Sequence, residues 1–560
     1  MTDLLAQDPV SGYKNVYKEA FAREAEAFFQ YAVRQGGINP AVNALQAMEL
    51  DELYAEREKK SGKQGMWIFF LILLLSVFAV WGFMLLIEQN PLSTVQLVLF
   101  WGYSIGALIF ICTVVVPKLR ALSSSLSTMS KEINKKYAQA TAYLEPLYGS
   151  FSWNTLPKLF SRVIPQVKFD DFLTRERLAD FRDNFGLLIQ DEPDSTMLGS
   201  HSGTFFGYPF IFTEDKNFCW GEKVWSGART VSYTVYTTDS EGNSVAETHY
   251  EVLTATVTKP FPEFPVTRQL FFGHPAAPEL SYSREPSSLS GSSGIWAALG
   301  KKYRMHKLHK LEQNLTDDSN FTMMSNREFE MLFKSENRDH EIGFRLLFTP
   351  LAQQYMVKLL NDQETGYGDD FCLNKSRLVT CLVSEHLSNT QIAPEPFSSS
   401  SYDLQKIRAK FRKNSEEFFR SMYFSFAPLF LTPAYNEERL HVPEYAKAMS
   451  ISENELEGAA ASHEEYFRPP ESITENIFNI RNCRRQKGVV TAEVESIGFY
   501  GCSSVDYVPR LAGDGVFYQV PVEWVEYIPV TRRTLIHACR EEALPQGRKV
   551  LFRRRGLAFW

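Results

Sequence analysis

Met66 to Ile87 reads MWIFFLILLLSVFAVWGFMLLI, 22 residues without a charge. Val95 to Val116 reads VQLVLFWGYSIGALIFICTVVV, again 22 and again uncharged. An α-helix rises about 1.5 Å per residue, so each stretch spans about 33 Å, against a bilayer hydrocarbon core of about 30 Å. A buried helix of a soluble protein is the alternative, weakened because two such runs in tandem lack any polar face. The pattern predicts a transmembrane hairpin over 66–116, with helices at 66–87 and 95–116. The link from Glu88 to Thr94 carries the turn signal Asn90-Pro91. It is so short that the second helix must return antiparallel to the first.

Charge sets the orientation. Arg57, Lys59, Lys60 and Lys63 precede the first span, and Lys118, Arg120, Lys131, Lys135 and Lys136 follow the second. The connecting loop has no Lys or Arg. Positively flanked segments stay on the cytosolic side, so the expectation is a multi-pass protein of the plasma membrane with both termini cytosolic. The first apolar run starts at residue 66 behind a charged, helix-like stretch, which predicts no cleavable signal peptide. The sequons at Asn314, Asn320 and Asn374 then face the cytosol and are irrelevant.

Gly102 and Gly106 form a G-x-x-x-G in the second span. Missing side chains let another helix approach closely, either the first span around Gly82 or a second copy in a homo-oligomer. The spans hold no Asp, Glu, Lys, Arg or His, the groups that mark ion and proton pathways. That argues against a transporter, unless many copies line one path.

The rest of the chain is ordinary in composition, 44% hydrophobic and 22% charged, and long enough to bury a sizeable core. A net charge of -7 argues against a nucleic-acid binder. The balance is uneven, because Arg532 to Trp560 has eight Lys/Arg and two Glu. Its RKVLFRRRGLAFW suits a membrane surface, an RNA backbone, or a disordered basic tail. The seven cysteines are scattered with no C-x-x-C pair, as isolated reduced thiols would be.

Periodicity divides the chain into N-terminal cytosolic helices over 1–65, the hairpin over 66–116 and a juxtamembrane amphipathic helix over 117–149. A mixed, β-rich cytosolic domain follows over 150–400, a helix and connector over 401–445, a C-terminal β-rich module over 446–531, and a basic tail over 532–560. The fold class is α+β. Tyr13 to Gln35 has helical spacing, and Asn39-Pro40 restarts a helix as cap and first residue. Leu119, Leu122, Leu126, Met129 and Ile133 make a stripe that suits a short coiled coil or packing on the N-terminal helices. Thr230–Thr238 and Glu247–Thr258 read as a β-hairpin around Asp239–Asn243. Pro260, Pro262 and Pro265 are expected at a sheet edge, and Pro286–Gly294 as a flexible link. Ser325 with Glu328 suggests a capping box, and Thr349-Pro350 starts a helix that runs to about Asn361. Gly513-Asp514-Gly515 turns a second pair of strands.

Little of this carries chemistry. His306 and His309 sit one helical turn apart, as metal ligands can. Five Lys/Arg within residues 301–310 repel a cation and favour a solvated basic face, or one against anionic lipid. Asp369-Asp370 suits paired carboxylates or a solvated turn. Cys381 with His386 suits a thiol–imidazole couple only if the fold joins them. No nucleophile elbow, zinc signature, Walker loop or dinucleotide fingerprint is present. An enzyme would need several of His274, His306, His309, His340, Asp369, Asp370 and Cys381 gathered in a pocket.

Glu328-Phe329-Glu330, Phe333, Asp339, the run RLLFTPLAQQYMVKLL from Arg345 to Leu360, and Asp369 to Phe371 together resemble a signature of an uncharacterised bacterial membrane-protein family. Members have two N-terminal transmembrane helices followed by a β-rich cytosolic domain, and some are encoded near LemA-type proteins. The resemblance covers roughly residues 60–400. It implies topology and a bacterial plasma membrane, and no catalytic residue or cofactor. The expected role is a membrane-anchored cytosolic binding or scaffold protein, with the bilayer and a protein as partners. The rivals are an enzyme with an unfamiliar site and a subunit of an oligomeric transport complex.

Overall fold

Asn39 Oδ1 accepts a hydrogen bond from the Ala41 amide at 3.0 Å, and a helix begins at Pro40 as the Asn-Pro pair dictates. The computed structural model describes residues 8–87, 94–187, 193–238, 244–313, 321–389, 401–440, 450–486 and 488–560. Two compact units emerge, each drawn from separated stretches of chain. One comprises Met1–Glu24, Ser152–Pro396 and Asn414–Trp560; the other comprises Ala25–Phe151 and Phe397–Lys413.

The second unit is helical. Its elements are α1 (Lys18–Gln35, which begins in the other unit), α2 (Pro40–Ile87), α3 (Thr94–Phe110), a π-turn over Ile111–Val115, and α4 (Val116–Tyr148). Helix α2 runs antiparallel to α3 and α4. Glu49 pairs with Lys136 at 2.8 Å, Lys118 Nζ lies 4.6 Å from the Trp67 ring centre, and the Tyr103 hydroxyl reaches the Leu74 carbonyl at 3.5 Å. The stripe after Leu119 is buried from Met129 through Leu147. Ile133 and Ala140 pack on Leu50, Leu53, Tyr54 and Tyr402, so this helix packs on the N-terminal helices.

Among the described residues one helix, Trp101–Tyr148, is long and apolar enough to cross a membrane. The expectation of two spans over 66–116 comes down, within those residues, to this one. The turn at Asn90-Pro91 and the surroundings of Gly82 lie outside them.

The first unit contributes α5 (Thr155–Val163), α6 (Arg175–Asp180), α7 (Ile295–Gln313), α8 (Arg327–Phe333), α9 (Glu341–Leu347), α10 (Pro350–Asn361), α11 (Leu404–Phe430, which begins in the helical unit) and α12 (Glu453–Ser462). Its strands are β1 (Val167–Phe169), β2 (Ser195–Phe205), β3 (Tyr208–Asn217), β4 (Cys219–Thr238), β5 (Ser244–Glu263), β6 (Val266–Gly273) and β7 (Ser281–Arg284). They continue as β8 (Phe371–Ser376), β9 (Val379–Ser384), β10 (Ile477–Gln486), β11 (Val489–Leu511), β12 (Phe517–Arg540), β13 (Phe552–Arg554) and β14 (Leu557–Phe559). The class is α+β, as expected. Seven strands form an antiparallel sheet in the order β1-β2-β3-β6-β9-β8-β7, and five form a second in the order β10-β11-β12-β14-β13.

Among the described residues, strands β4 and β5 pair only with each other. Beyond Gly498, β11 and β12 do the same, from Gly498↔Val530 to Leu511↔Phe517. These two ribbons pack face to face over Val231, Leu253, Ala255, Ala512, Val520 and Val522. Gly227 permits the approach, since a Cβ there would lie 2.0 Å from the Pro521 carbonyl oxygen. Lys259 and Asp506 join the ribbons at 2.6 Å. The turn at Asp239–Asn243 lies outside the described residues.

Three local readings are corrected. Asn326, rather than Ser325, caps α8 by accepting from the amides of Glu328 and Phe329, each at 3.1 Å. The Pro286–Gly294 link is pinned: the Ser287 amide and the Ser290 hydroxyl both bond Asp369, and the Gly291 amide bonds Asn361. The basic C-terminal stretch is folded, with Phe552, Leu557 and Phe559 in the core of the second sheet. Arg554 and Arg555 are buried there, donating to the Leu198 and Ser200 carbonyls of β2 at 2.6 and 2.8 Å. Burial and the neighbouring Arg555 lower the Arg554 pKa to about 9. Two buried guanidiniums on one hairpin are costly unless backbone oxygens meet them, and that need fixes the hairpin against β2.

Candidate functional site

Helices built almost wholly of Leu, Ile, Phe, Val and Trp bury those side chains in a core or present them to another apolar medium. In the helical unit they are presented outward. Phe69, Phe70, Ile72, Leu73, Leu75, Val77 and Val80 are exposed on α2, and Val98, Trp101, Ile105, Leu108, Ile109 and Phe110 on α3. Only 6% of the apolar window in Trp101–Tyr148 is buried. The hydroxyls in these stretches turn inward to helix carbonyls: Ser76 to Leu73 at 2.8 Å and Thr113 to Ile109 at 2.6 Å. Such self-satisfaction is what hydrocarbon demands of a polar group. Among the flanking cations, Lys60 pairs with Glu56 at 2.8 Å. Among the described residues nothing lies within 4 Å of a Cβ built at Gly102 or Gly106. The expected close packing at that motif is therefore not formed within the described part of the helical unit.

The polar residues singled out from sequence are drawn apart by the fold. Asp369 holds Arg284, which is fully buried, stacks on Phe371 and also donates to the Phe371 carbonyl at 2.9 Å. Burial lowers the Arg284 pKa, with Asp369 opposing. Asp370 faces the other way and accepts from His386 Nδ1 at 2.6 Å and from the His386 amide at 3.1 Å. His386 Nε2 lies 3.0 Å from Ser425 Oγ on α11. Adjacent carboxylates thus serve separate networks rather than sharing a proton.

Sequence reading missed the Ser425–His386–Asp370 constellation, which has the connectivity of a serine-nucleophile triad. Its only sequence signals were the three residue types, dispersed over 370–425. Ser425 is fully buried, and its hydroxyl donates to the Ser421 carbonyl at 2.8 Å. Tyr367 covers the imidazole face in a stack with centres 4.2 Å apart, and Arg420 lies 4.4 Å above Tyr367. No substrate carbonyl reaches an oxygen so enclosed. The arrangement clamps α11 onto the end of β9.

The remaining candidates are dispersed as well. Cys381 bonds Gln269 at 3.4 Å, and burial pushes its thiol up to about 12, far from a reactive thiolate. It does not couple to His386. His274 is enclosed by Tyr208 and Tyr435 and accepts from the Ala276 amide at 3.0 Å. His340 caps α9 by accepting from the Gly343 amide at 3.0 Å. His306 is exposed, and His309 lies 3.8 Å from Glu312. Among the described residues no group of three or more His, Cys, Asp or Glu could hold a metal. Asn374 lies on β8, while Asn314 and Asn320 fall outside the described residues.

No family model matches the chain, and no curated protein or solved structure is similar to it.

Proposed function

We propose that this chain is a membrane-anchored scaffold, in which α2 and α3 cross the bilayer as a hairpin and the β-rich unit works on the cytosolic side. The observation that carries the reading is the sleeve of exposed Phe, Leu, Ile, Val and Trp side chains on both antiparallel helices. Full exposure of a side chain of this kind forfeits about 1.5–3 kcal/mol relative to an apolar environment, and these are 38% to 70% exposed. A dozen or more on one helix pair need a hydrocarbon solvent. Lys60, Lys63 and Lys118 at one end of the sleeve and no Lys or Arg in 88–94 support cytosolic flanks.

The scaffold half of the reading rests on the stacked ribbons of β4–β5 and β11–β12. They carry Tyr236, Tyr250, Val252, Tyr507 and Phe517 exposed, a surface suited to another protein. The test is topology and extraction of the full chain. It should resist alkaline carbonate, and protease added to sealed cells should leave the C-terminal half intact. Release of the full-length chain into the supernatant, or external digestion of residues 150–560, would refute the anchor.

A further inference from the structure

Helix α7 points its large apolar residues away from the unit it belongs to. Ile295 is 83% exposed, Trp296 85%, Leu299 60% and Tyr303 74%. At about 100° per residue these four fall on one side of the helix, along about 12 Å of axis. The opposite side, with Ala297, Arg304, Met305 and Leu308, faces the unit. Leu308 is buried there, and Arg304 pairs with Glu336. Lys302, His306, Lys307 and Lys310 share the outward side. From Ile295 to Leu311 there is no Asp or Glu.

A solvated helix carries charge outward and apolar residues inward. This one carries both outward, apolar in its first half and basic in its second. A water-facing role explains the lysines and leaves Ile295, Trp296 and Leu299 unexplained. A purely apolar partner explains those three and leaves four basic residues without counter-charge. One medium supplies both needs at once: a bilayer interface, with hydrocarbon just below a layer of anionic headgroups. Tryptophan and tyrosine are the side chains that settle at that depth.

We propose that the Ile295–Lys310 face of α7 lies on the anionic surface of the bilayer, a second contact in addition to the transmembrane helices. The inference rests on the anchor reading for its proximity to lipid. Two weak attachments on one chain reinforce each other, because the first holds the second at high local concentration.

The test is hydrogen exchange of the full chain in nanodiscs of phosphatidylcholine, with and without phosphatidylglycerol. In the anionic discs, peptides covering 295–308 should exchange at least about fivefold more slowly, while α10 is unchanged. The protection should fall at high salt, where the Debye length shrinks to about 3 Å at 1 M. It should vanish in Trp296→Ser/Leu299→Ser and weaken in Lys302→Glu/Lys307→Glu, all exposed positions that leave the fold intact. Equal exchange in the two disc types would overturn the proposal. So would equal protection in detergent, which would identify a protein or a second copy as the cover. If the chain fails to enter discs at all, the anchor reading fails, and co-sedimentation with phosphatidylglycerol vesicles decides the α7 proposal. Pelleting of wild type but not of Trp296→Ser/Leu299→Ser supports it, and no pelleting of either overturns it.

Discussion

Acidification should loosen the β-rich unit through two enclosed histidines. Burial, with a smaller contribution from Lys375, lowers the His274 pKa to about 3. Its ring lies 4.0 Å from that of Tyr208, and its Nδ1 accepts the Ala276 amide, so a proton has no welcome there. An unfolded histidine titrates near pH 6.5. As pH falls below about 6.5 the unfolded chain takes up a proton that the folded chain refuses, and stability present above that pH is lost progressively toward pH 3. Between pH 7 and pH 5 the loss integrates to about 2 kcal/mol for His274. His201 is fully buried, and burial and Arg555 hold it well below the ordinary value. It adds a loss in the same direction. The assay is hydrogen exchange of β2 and β6 peptides in the detergent-purified chain, corrected for intrinsic rates. Protection should fall by more than about 1.4 decades from pH 7 to pH 5, the share of His274 alone at 1.4 kcal/mol per decade. His274→Asn keeps an acceptor two residues before Ala276, as an Asx-turn, and cannot titrate. It should remove about 2 kcal/mol of the pH-dependent loss, whatever it does to stability at pH 7. An unchanged pH slope in this variant would refute the reasoning.

Two further outcomes follow from the packing. Gly227→Ala should separate the stacked ribbons, because backbone rather than a pliable side chain occupies the space. A cost of about 1–3 kcal/mol is expected, read as faster exchange in residues 505–525 with the seven-stranded sheet unaffected. Ser425 should stay unlabelled by fluorophosphonate serine probes, and Ser425→Ala should cost about 1 kcal/mol by leaving His386 Nε2 only its longer contact to Ser384 Oγ at 3.4 Å. Labelling of Ser425 in the folded chain would favour the enzyme reading.

What could be read from the sequence was local. Thr349-Pro350 starts α10, which ends at Asn361, because a hydroxyl cap and a proline at the first position act within four residues. The strands around 230–238 and 247–258 were legible from β-branched alternation, although they extend to Cys219–Thr238 and Ser244–Glu263. Pro260 and Pro262 lie inside β5, since a two-stranded ribbon leaves each strand an outer edge where a missing amide is harmless. Long-range partnerships were not legible. Nothing in RRRGLAFW announces that two of its arginines are interior, because their acceptors belong to a strand some 355 residues earlier. Asp369 and Asp370 look like a pair only in sequence, since successive residues entering a strand face opposite ways. The candidate triad was illegible for the same reason: Ser425 reaches His386 across 39 residues, from a helix.

The bond between Arg555 and the Ser200 carbonyl has a consequence for how the chain matures. A ribosome adding about 5–20 residues per second leaves β2 without that C-terminal cover for about 20–70 s. During this interval the apolar helices have already emerged, and β2 is half dressed. The unfinished β-surface therefore stays open to aggregation until synthesis ends, and a chaperone that holds such surfaces would help the chain mature.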